Sequence, residues 1–121
     1  MKRILIIEND ILLLKTLKSL LEARGYQTVL AKDGKEALSY IEKEKFDLVL
    51  TDLMLPYASG MEILEKLKTA THKTPVIIVS ASHSEDSITE GFNLGADDYI
   101  KKPFTPGELI SRITRLIDRA E

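Results

Sequence analysis

The stretch LVLTDLMLP, residues 48–56, places a carboxylate at the end of an apolar run. Residues 48–51 are typical of a buried strand, Asp52 follows them, and apolar residues then resume until Pro56. Runs with almost no apolar–polar alternation indicate strands that are covered on both faces, as in a parallel sheet. Ligands of open parallel sheets bind beyond the carboxyl ends of the strands, so Asp52 is a candidate site residue.

Short apolar runs alternate with helical patterns along the whole chain. The runs ILII, YQTVLA, DLVLT, PVIIVS and DYIK predict strands over residues 4–7, 26–31, 47–51, 75–80 and 98–101. Apolar residues at helical spacing predict helices over about residues 11–24, 35–45 and 84–94, one after Ser59-Gly60, and one after Thr105-Pro106. This alternation with short loops predicts βαβ units and a three-layer α/β domain.

Size and composition restrict the class of protein. The 121 residues suit one domain, residues 1–121, and the hydrophobic share of 44% and charged share of 30% are typical of a globular protein. The net charge of −2 argues against nucleic-acid contact by this domain. No apolar run reaches membrane-spanning length, so no membrane contact is expected. The absence of cysteine excludes thiol chemistry and cysteine zinc sites, and it fits a cytoplasmic protein.

Polar side chains gather where the predicted strands end, namely Glu8, Asn9, Asp10, Asp52, Ser80, Lys101 and Lys102. If these strands are parallel neighbours, Asp10 and Asp52 meet a hydroxyl and a lysine at one edge. A divalent cation would relieve the repulsion between the two carboxylates, and carboxylates with a backbone carbonyl and waters suit Mg²⁺. A carboxylate there can attack phosphorus and form an acyl phosphate. The pattern predicts an aspartate phosphorylation site.

Each of these residues also has a plainer interpretation. Asp10 alone is better explained as a turn former or helix cap. Ser80 alone would be an ordinary strand-end residue, and Lys102 alone would be a solvated charge. Asp52 is harder to explain in this way, because apolar residues follow it. The combination, in order and at successive strand ends, favours a shared site.

In the segments ILIIEND, DLVLTDLMLP, Gly60, PVIIVSAS and LGADDYIKKPF, the sequence resembles the receiver domain of bacterial two-component response regulators over essentially all 121 residues. The resemblance implies a flavodoxin-like (βα)5 three-layer sandwich with a five-stranded parallel sheet of order 2-1-3-4-5. It implies a signalling domain rather than an enzyme, which takes a phosphoryl group from a sensor histidine kinase, a phosphotransfer protein or a small phosphodonor. Mg²⁺ or Mn²⁺ is the expected cofactor, self-dephosphorylation is expected, and transcription through a separate effector is the expected output.

The resemblance also implies roles for individual residues. Asp52 corresponds to the phosphoryl acceptor, and Lys102 corresponds to the lysine that contacts the phosphoryl oxygens. Ser80 corresponds to the hydroxyl residue that moves towards the phosphoryl group, and Tyr99 to the aromatic residue whose rotamer follows that motion. The Lys102–Pro103 peptide bond is expected to be cis.

The expected metal ligands are Asp10, Asp52, the backbone carbonyl of Met54 and, through water, Asn9. Asn9 stands where an acid is common in the family, so a weaker affinity for the metal is expected. Residues 57–59, Tyr-Ala-Ser, replace a segment where glycine or an acid is frequent, so a differently shaped loop is expected.

The face formed by the fourth helix, fifth strand and fifth helix is the expected output surface. Charged residues near it are Asp97, Asp98, Arg112, Arg115 and Arg119. Similar patterns occur in receivers that form homodimers through this face. The alternative is that the acids cap or are solvated and the arginines face water. Glu90 and Glu108 would repel each other in such a dimer.

Two other classes of protein compete with a receiver. An aspartyl-phosphate phosphatase of the α/β kind would need a general acid two residues after Asp52, where this chain has Met54. A flavin-binding flavodoxin-like carrier would need a Ser/Thr/Gly phosphate loop after the first strand, where this chain has acids. The motif GxxxxGK[ST] of P-loop nucleotide hydrolases is absent.

Overall fold

The computed structural model describes residues 1–69, 73–82 and 84–119. Its elements are β1 (Arg3–Ile7), α1 (Ile11–Glu22), β2 (Gln27–Ala31), α2 (Gly34–Lys43), β3 (Leu48–Thr51), α3 (Gly60–Thr69), β4 (Val76–Ser80), α4 (Glu85–Asn93), β5 (Asp98–Lys101) and α5 (Pro106–Arg119). All the predicted strands and helices are present, with ends shifted by a few residues. Within the described ranges, none of the helices has the length and apolar character needed to cross a membrane.

The sheet has the order β2-β1-β3-β4-β5, and all of its strand pairs are parallel. This confirms the flavodoxin-like fold with strand order 2-1-3-4-5. β1 lies between β2 and β3, and Ile7 is opposite Thr51 in the register. Ser80 is opposite Lys101 at the end of the β4–β5 pair. The residues that follow β1, β3 and β5 therefore meet at one edge of the sheet.

Two apolar layers cover the sheet. Along β1, Ile4 and Ile6 pack into the layer formed with α1 and α5, whereas Leu5 and Ile7 pack into the layer formed with α2 and α3. These four side chains are at most 1% exposed. Burial of each such side chain contributes about 1.5–3 kcal/mol. Burial on both faces explains why the run lacks apolar–polar alternation.

The helix ends follow the signals in the sequence. Gly25 and Gly95, which follow α1 and α4, have φ values of 89° and 107°, a region that favours glycine. The hydroxyls of Ser59 and Thr105 each accept a hydrogen bond of 3.2 Å from the backbone N–H three residues later. These contacts cap α3 and α5 as predicted.

Two glycines hold the loop between β3 and α3. A Cβ atom on Gly60 would lie 2.2 Å from the carbonyl oxygen of Asp52, and one on Gly34 would lie 2.2 Å from that of Ala58. Neither position has room for a larger side chain. Within this loop Tyr57 has a φ of 73°, which is uncommon for a residue other than glycine. The backbone around Asp52 is thus set by close packing against α2 and α3.

Candidate phosphoryl-acceptor site

Asp52 directly follows β3 and is only 7% exposed. Its backbone N–H donates to the carbonyl of Ile7 at 3.2 Å, which continues the contact between β1 and β3 by one residue. Its carboxylate oxygen Oδ1 accepts a hydrogen bond of 3.0 Å from the N–H of Met54. The hydroxyl of Thr51 donates to the Asp52 carbonyl at 2.9 Å. These bonds fix the direction of the carboxylate at the carboxyl edge of the sheet.

Lys102 joins two acids at this edge. Its ammonium nitrogen lies 2.6 Å from Oδ2 of Asp52 and 2.9 Å from Oε2 of Glu8. The backbone N–H of Lys102 donates to the carbonyl of Ser80 at 2.9 Å, so β4 positions its main chain. The peptide bond between Lys102 and Pro103 is cis, as predicted. The structure therefore brings Asp52 and Lys102 together, and it adds Glu8.

Glu8 occupies the place that the sequence analysis assigned to Asp10. The N–H of Glu8 donates to the carbonyl of Ala31 at 3.0 Å, so the β1–β2 contact extends one residue beyond β1. The Glu8 side chain then enters the pocket, where it is 3% exposed. Its Oε1 accepts from the N–H of Asp10 at 3.1 Å, while Oε2 accepts from Lys102.

Asp10 has a different role in the structure. It is exposed, and its Oδ1 accepts hydrogen bonds from the N–H groups of Leu12 at 3.0 Å and Leu13 at 3.2 Å. Asp10 is the N-cap of α1, which is the plainer interpretation of this residue in the sequence. The prediction that Asp10 is the acid that meets Asp52 beside Lys102 is therefore corrected, and Glu8 takes that position.

Burial and charge shape the ionisation of the pocket. Burial disfavours the charged form of Glu8 and raises its pKa, and the nearby Asp52 charge raises that pKa further. The hydrogen bonds from Lys102 and from the Asp10 N–H lower the pKa of Glu8, but the net change is a rise. Burial also opposes the charged form of Lys102. Its hydrogen bonds to Asp52 and Glu8 outweigh that penalty and raise its pKa. Lys102 therefore stays an ammonium ion at neutral pH.

The donor atoms near Asp52 suit a hard divalent cation. The structure brings the carboxylates of Glu8 and Asp52 together beside Lys102, and the backbone carbonyl of Met54 and the side chain of Asn9 remain the further ligands that the sequence analysis predicts. Such a set of oxygen ligands is the kind that Mg²⁺ prefers. Within residues 1–69, 73–82 and 84–119, the structure has no group of three or more acidic, histidine or cysteine side chains placed to hold a metal. Asn9 is neutral, and the Asp10 carboxylate accepts hydrogen bonds from the first turn of α1.

The two predicted switch residues contact the same backbone segment. Ser80 is 1% exposed, and its hydroxyl accepts a hydrogen bond of 3.1 Å from the N–H of Ser82. The hydroxyl of Tyr99 donates to the carbonyl of Ser82 at 3.0 Å, with the ring 8% exposed. Ser82 therefore links Ser80 to Tyr99, a contact that the sequence analysis did not identify.

Asp98 on β5 pairs with arginines of its own chain. Its two carboxylate oxygens each lie 2.9 Å from Nη1 of Arg112, and Oδ2 lies 3.2 Å from Nη2 of Arg115. Asp98 is 6% exposed, so these bonds satisfy a buried carboxylate. The side chain of Arg119 lies outside the described part of the structure.

Asp97, which precedes Asp98, makes contacts on the opposite side of the strand. Its Oδ2 accepts from the Lys68 ammonium at 2.7 Å and from the N–H of Val76 at 2.8 Å. These bonds tie the start of β5 to α3 and β4. Asp97 and Asp98, the two acids predicted near the output face, therefore both form hydrogen bonds with other residues of the same chain.

Comparisons with known proteins identify the family of this chain. A family model described as the response regulator receiver domain matches residues 4–114. The transcriptional regulatory protein CpxR of Escherichia coli strain K12 is 41% identical over 120 residues, which cover 99% of this chain and 51% of CpxR. The alkaline phosphatase synthesis transcriptional regulatory protein PhoP of Bacillus subtilis strain 168 is 37% identical over 120 residues, 99% of this chain and 50% of PhoP. The chain thus spans about half the length of these curated relatives.

Solved structures show the same fold. The receiver domain of the Francisella response regulator 1452 superimposes with a TM-score of 0.94 at 37% identity and covers 100% of both chains. A CheY-like response regulator receiver domain protein from Methanospirillum hungatei JF-1 gives a TM-score of 0.93 at 37% identity, over 98% of this chain and 95% of the other.

Proposed function

The chain belongs to the response regulator receiver domain family, and we propose that residues 1–121 act as a phosphorylation-dependent signalling switch whose acceptor is Asp52. The observation that carries this proposal is the pairing of a nearly buried Asp52 with Lys102 at 2.6 Å. A carboxylate held at the carboxyl edge of a parallel sheet beside a fixed cation suits the attack on a phosphoryl group.

The proposed reaction transfers one phosphoryl group. A carboxylate oxygen of Asp52 forms the new bond to phosphorus, while the P–N bond of a phosphohistidine or the P–O bond of a small acyl phosphate breaks. The leaving imidazole or carboxylate keeps the electron pair of that bond. Lys102 neutralises part of the negative charge on the phosphoryl oxygens, since phosphoryl transfer depends mainly on positioning and charge neutralisation. Water later hydrolyses the acyl phosphate, which resets the switch.

Glu8, Asp52, the Met54 carbonyl and the Asn9 amide would hold Mg²⁺ or Mn²⁺. When bound, the cation supplies positive charge at the phosphoryl oxygens. In this assignment Glu8 replaces Asp10, whose carboxylate is used to cap α1. Asn9 contributes no charge, so we expect weak binding of the cation.

The output would pass through Ser80 and Tyr99 to the face formed by α4, β5 and α5. Movement of the Ser80 hydroxyl towards the phosphoryl group would break its hydrogen bond with the N–H of Ser82. The carbonyl of the same residue, Ser82, accepts the hydrogen bond from the Tyr99 hydroxyl. This biases an equilibrium between two conformations of that face.

The proposed partners are a sensor histidine kinase or a phosphotransfer protein. We assign DNA contact to a separate effector, since the relatives are transcriptional regulators of about twice this length and the chain has a net charge of −2. Action in the cytoplasm follows from that link to transcription.

Homodimerisation through the α4–β5–α5 face is a second proposal. Phe92 on α4 is 46% exposed and offers apolar area at this face. Asp98, Arg112 and Arg115 already pair within one chain, so a dimer would have to rearrange these bonds or leave them at its edge.

The test of the proposed function is the intact mass after incubation with Mg²⁺ and acetyl phosphate. The wild type should gain one phosphoryl group, Asp52→Asn should gain none, and the exposed Asp86→Asn on α4 serves as the matched control. Lys102→Ala should still become phosphorylated but should not pass the signal to dimerisation or partner binding. An unchanged wild-type mass would contradict the proposal.

The same assay separates Glu8 from Asp10. Asp10→Asn keeps an N-cap residue of similar strength and should still accept the phosphoryl group. Glu8→Gln removes a pocket charge and should need more Mg²⁺ for the same rate. The reverse result would return the metal-ligand role to Asp10.

A further inference from the structure

Thr51 is a buried polar residue on the central strand of the sheet. It ends β3 opposite Ile7 of β1 and Ile78 of β4, and it is 1% exposed. Side chains two residues apart share one face of a strand, so Thr51 lies on the same face as Val49, which packs into the layer formed with α2 and α3. Valine would fill a similar space without a polar group that needs a partner, so the hydroxyl requires an explanation.

The hydroxyl of Thr51 holds the first peptide group beyond the strand. It donates to the carbonyl of Asp52 at 2.9 Å in a buried contact. The registers of β3 with β1 and with β4 both end at Thr51, so this carbonyl lies beyond the paired part of the strand. A side-chain hydroxyl thus supplies the hydrogen bond that a neighbouring strand supplies elsewhere in the sheet, and a buried carbonyl needs such a donor.

The same peptide group packs against the start of α3. A Cβ on Gly60 would lie 2.2 Å from the Asp52 carbonyl oxygen, and the N–H of Gly60 donates to the carbonyl of Leu53 at 3.1 Å. The following N–H, that of Met54, donates to Oδ1 of the Asp52 carboxylate at 3.0 Å. A rotation of the peptide between Asp52 and Leu53 would therefore also move the donor that holds the carboxylate.

We propose that Thr51 is a positioning residue for the uptake of a phosphoryl group by Asp52. This inference rests on the proposed function and assigns a part in it to a hydroxyl that bonds the main chain of the acceptor. The Thr51 hydroxyl fixes the Asp52 carbonyl, and the peptide that follows fixes the N–H of Met54. That N–H holds Oδ1, while Lys102 holds Oδ2 at 2.6 Å, so the carboxylate is kept in one orientation for attack on phosphorus.

This role predicts that the rate of uptake depends on the hydroxyl at position 51 and not on the methyl group. Thr51→Val should slow uptake about tenfold, which is the effect of one neutral hydrogen bond that acts fully on the transition state. Thr51→Ser keeps the hydroxyl and should stay within about threefold of the wild-type rate. Thr51→Ser also loses a buried methyl group, so its midpoint of urea unfolding should fall by roughly 0.5 M. The less stable serine variant is thus expected to react at nearly the wild-type rate.

The experiment measures the rate of uptake from acetyl phosphate with Mg²⁺ by intact mass, on proteins whose folding is checked by circular dichroism. The control is Thr114→Val on α5, which removes a comparable bond from a threonine hydroxyl to the carbonyl of Ile110 at 2.6 Å and should react at the wild-type rate. A purely structural role for Thr51 predicts the wild-type rate for every folded variant.

A folded Thr51→Val protein that reacts as fast as wild type overturns the inference, and so does a Thr51→Ser protein that is as slow as Thr51→Val. Should Thr51→Val fail to fold, Thr51→Ala is compared with Thr51→Ser, because these two variants differ only by the hydroxyl. The alanine variant should then be about tenfold slower than the serine variant, and equal rates overturn the inference.

The wild type separates this inference from the proposed function. Normal uptake by wild type together with a wild-type rate for Thr51→Val preserves the proposed function and removes the role of Thr51. A wild type that takes up no phosphoryl group contradicts the proposed function, and the role of Thr51 falls with it.

Discussion

Replacement of Gly60 by alanine tests whether close packing sets the position of Asp52. Gly60 is the first residue of α3, and a Cβ there would lie 2.2 Å from the Asp52 carbonyl oxygen and 2.8 Å from Cα of Leu53. Both neighbours are backbone atoms, which cannot rotate away as the end of a side chain can. Non-bonded heavy atoms prefer roughly 3.5 Å or more, so α3 and the loop would have to separate by about 1 Å.

The expected loss of stability is large for a single methyl group. Overpacking of a close-packed region costs about 1–3 kcal/mol, and a contact between two backbone segments belongs at the upper end. With a urea dependence of about 1.5 kcal/mol per molar, a loss of about 3 kcal/mol lowers the midpoint of unfolding by about 2 M.

The same substitution at Gly107 is the matched control. Gly107 lies in the first turn of α5, and a Cβ there would meet no atom within 4 Å. Gly107→Ala should therefore raise the free energy of unfolding by about 0.5 kcal/mol, from the better helix propensity and the reduced freedom of the unfolded chain.

The assay is urea unfolding monitored by circular dichroism, combined with the rate at which the protein takes up a phosphoryl group from acetyl phosphate. A displaced Asp52 should slow that uptake about 100-fold, since a misplacement of about 1 Å costs this much in positioned reactions. If Gly60→Ala unfolds at the wild-type midpoint and accepts the phosphoryl group at the wild-type rate, the packing argument is refuted.

Three further changes probe other parts of the fold. Arg112→Met should lower the free energy of unfolding in urea titrations by about 1–2 kcal/mol, because it removes two hydrogen bonds to the buried Asp98. This figure is already reduced for solvent screening, since the Arg112 side chain is 40% exposed. Arg115→Met should lower the free energy of unfolding by less, and equal losses for the two variants would contradict this ranking. Tyr57→Gly should raise the free energy of unfolding by up to about 1 kcal/mol, since glycine adopts the φ of 73° without a steric penalty; a loss of stability would show that the tyrosine ring, although 81% exposed, packs usefully. Hydrogen bonds from Thr28 and Lys18 lower the pKa of Glu22 below its ordinary 4.5. The ionised Glu22 therefore stabilises the fold above pH 4.5, and this stabilisation is lost as the pH falls through the lower pKa of the folded state. Glu22→Gln should be less stable than wild type at neutral pH, and the free energies of unfolding of the two proteins should converge as the solution is acidified.

The strand runs made the sheet predictable because the strands are buried on both faces. Each residue of β3 and β4 is buried, and the sequence shows this as runs with almost no apolar–polar alternation. The glycines at positions 25 and 95 and the hydroxyls at 59 and 105 marked helix ends through local chemistry alone. The strand order itself came from the resemblance, since local patterns do not determine which strands are neighbours.

The structure places Glu8 rather than Asp10 in the pocket, although the predicted end of β1 at Ile7 agrees with the structure, because the contact with β2 continues one residue beyond the strand. Glu8 still donates to Ala31, so the extended conformation continues and carries its side chain into the pocket. A carboxylate that precedes an apolar helical pattern is an N-cap signal, and that signal favours Asp10 as a cap. Of three adjacent polar residues, the one that continues the extended strand is the one whose side chain enters the pocket.

Ser82 explains how a small movement at the acceptor can reach α4. Its N–H is bonded to the Ser80 hydroxyl and its carbonyl to the Tyr99 hydroxyl, so one peptide segment holds both switch residues. Each neutral bond of this kind contributes about 0.5–1.5 kcal/mol. In the proposed switch the bond between Ser80 and the Ser82 N–H is lost, and a charge-assisted bond from Ser80 to the phosphoryl group replaces it. The new bond compensates for the loss, because charge-assisted bonds are about twice as strong as neutral ones. The two conformations can then differ by little more than one hydrogen bond, which is the condition for a switch that a single phosphoryl group controls.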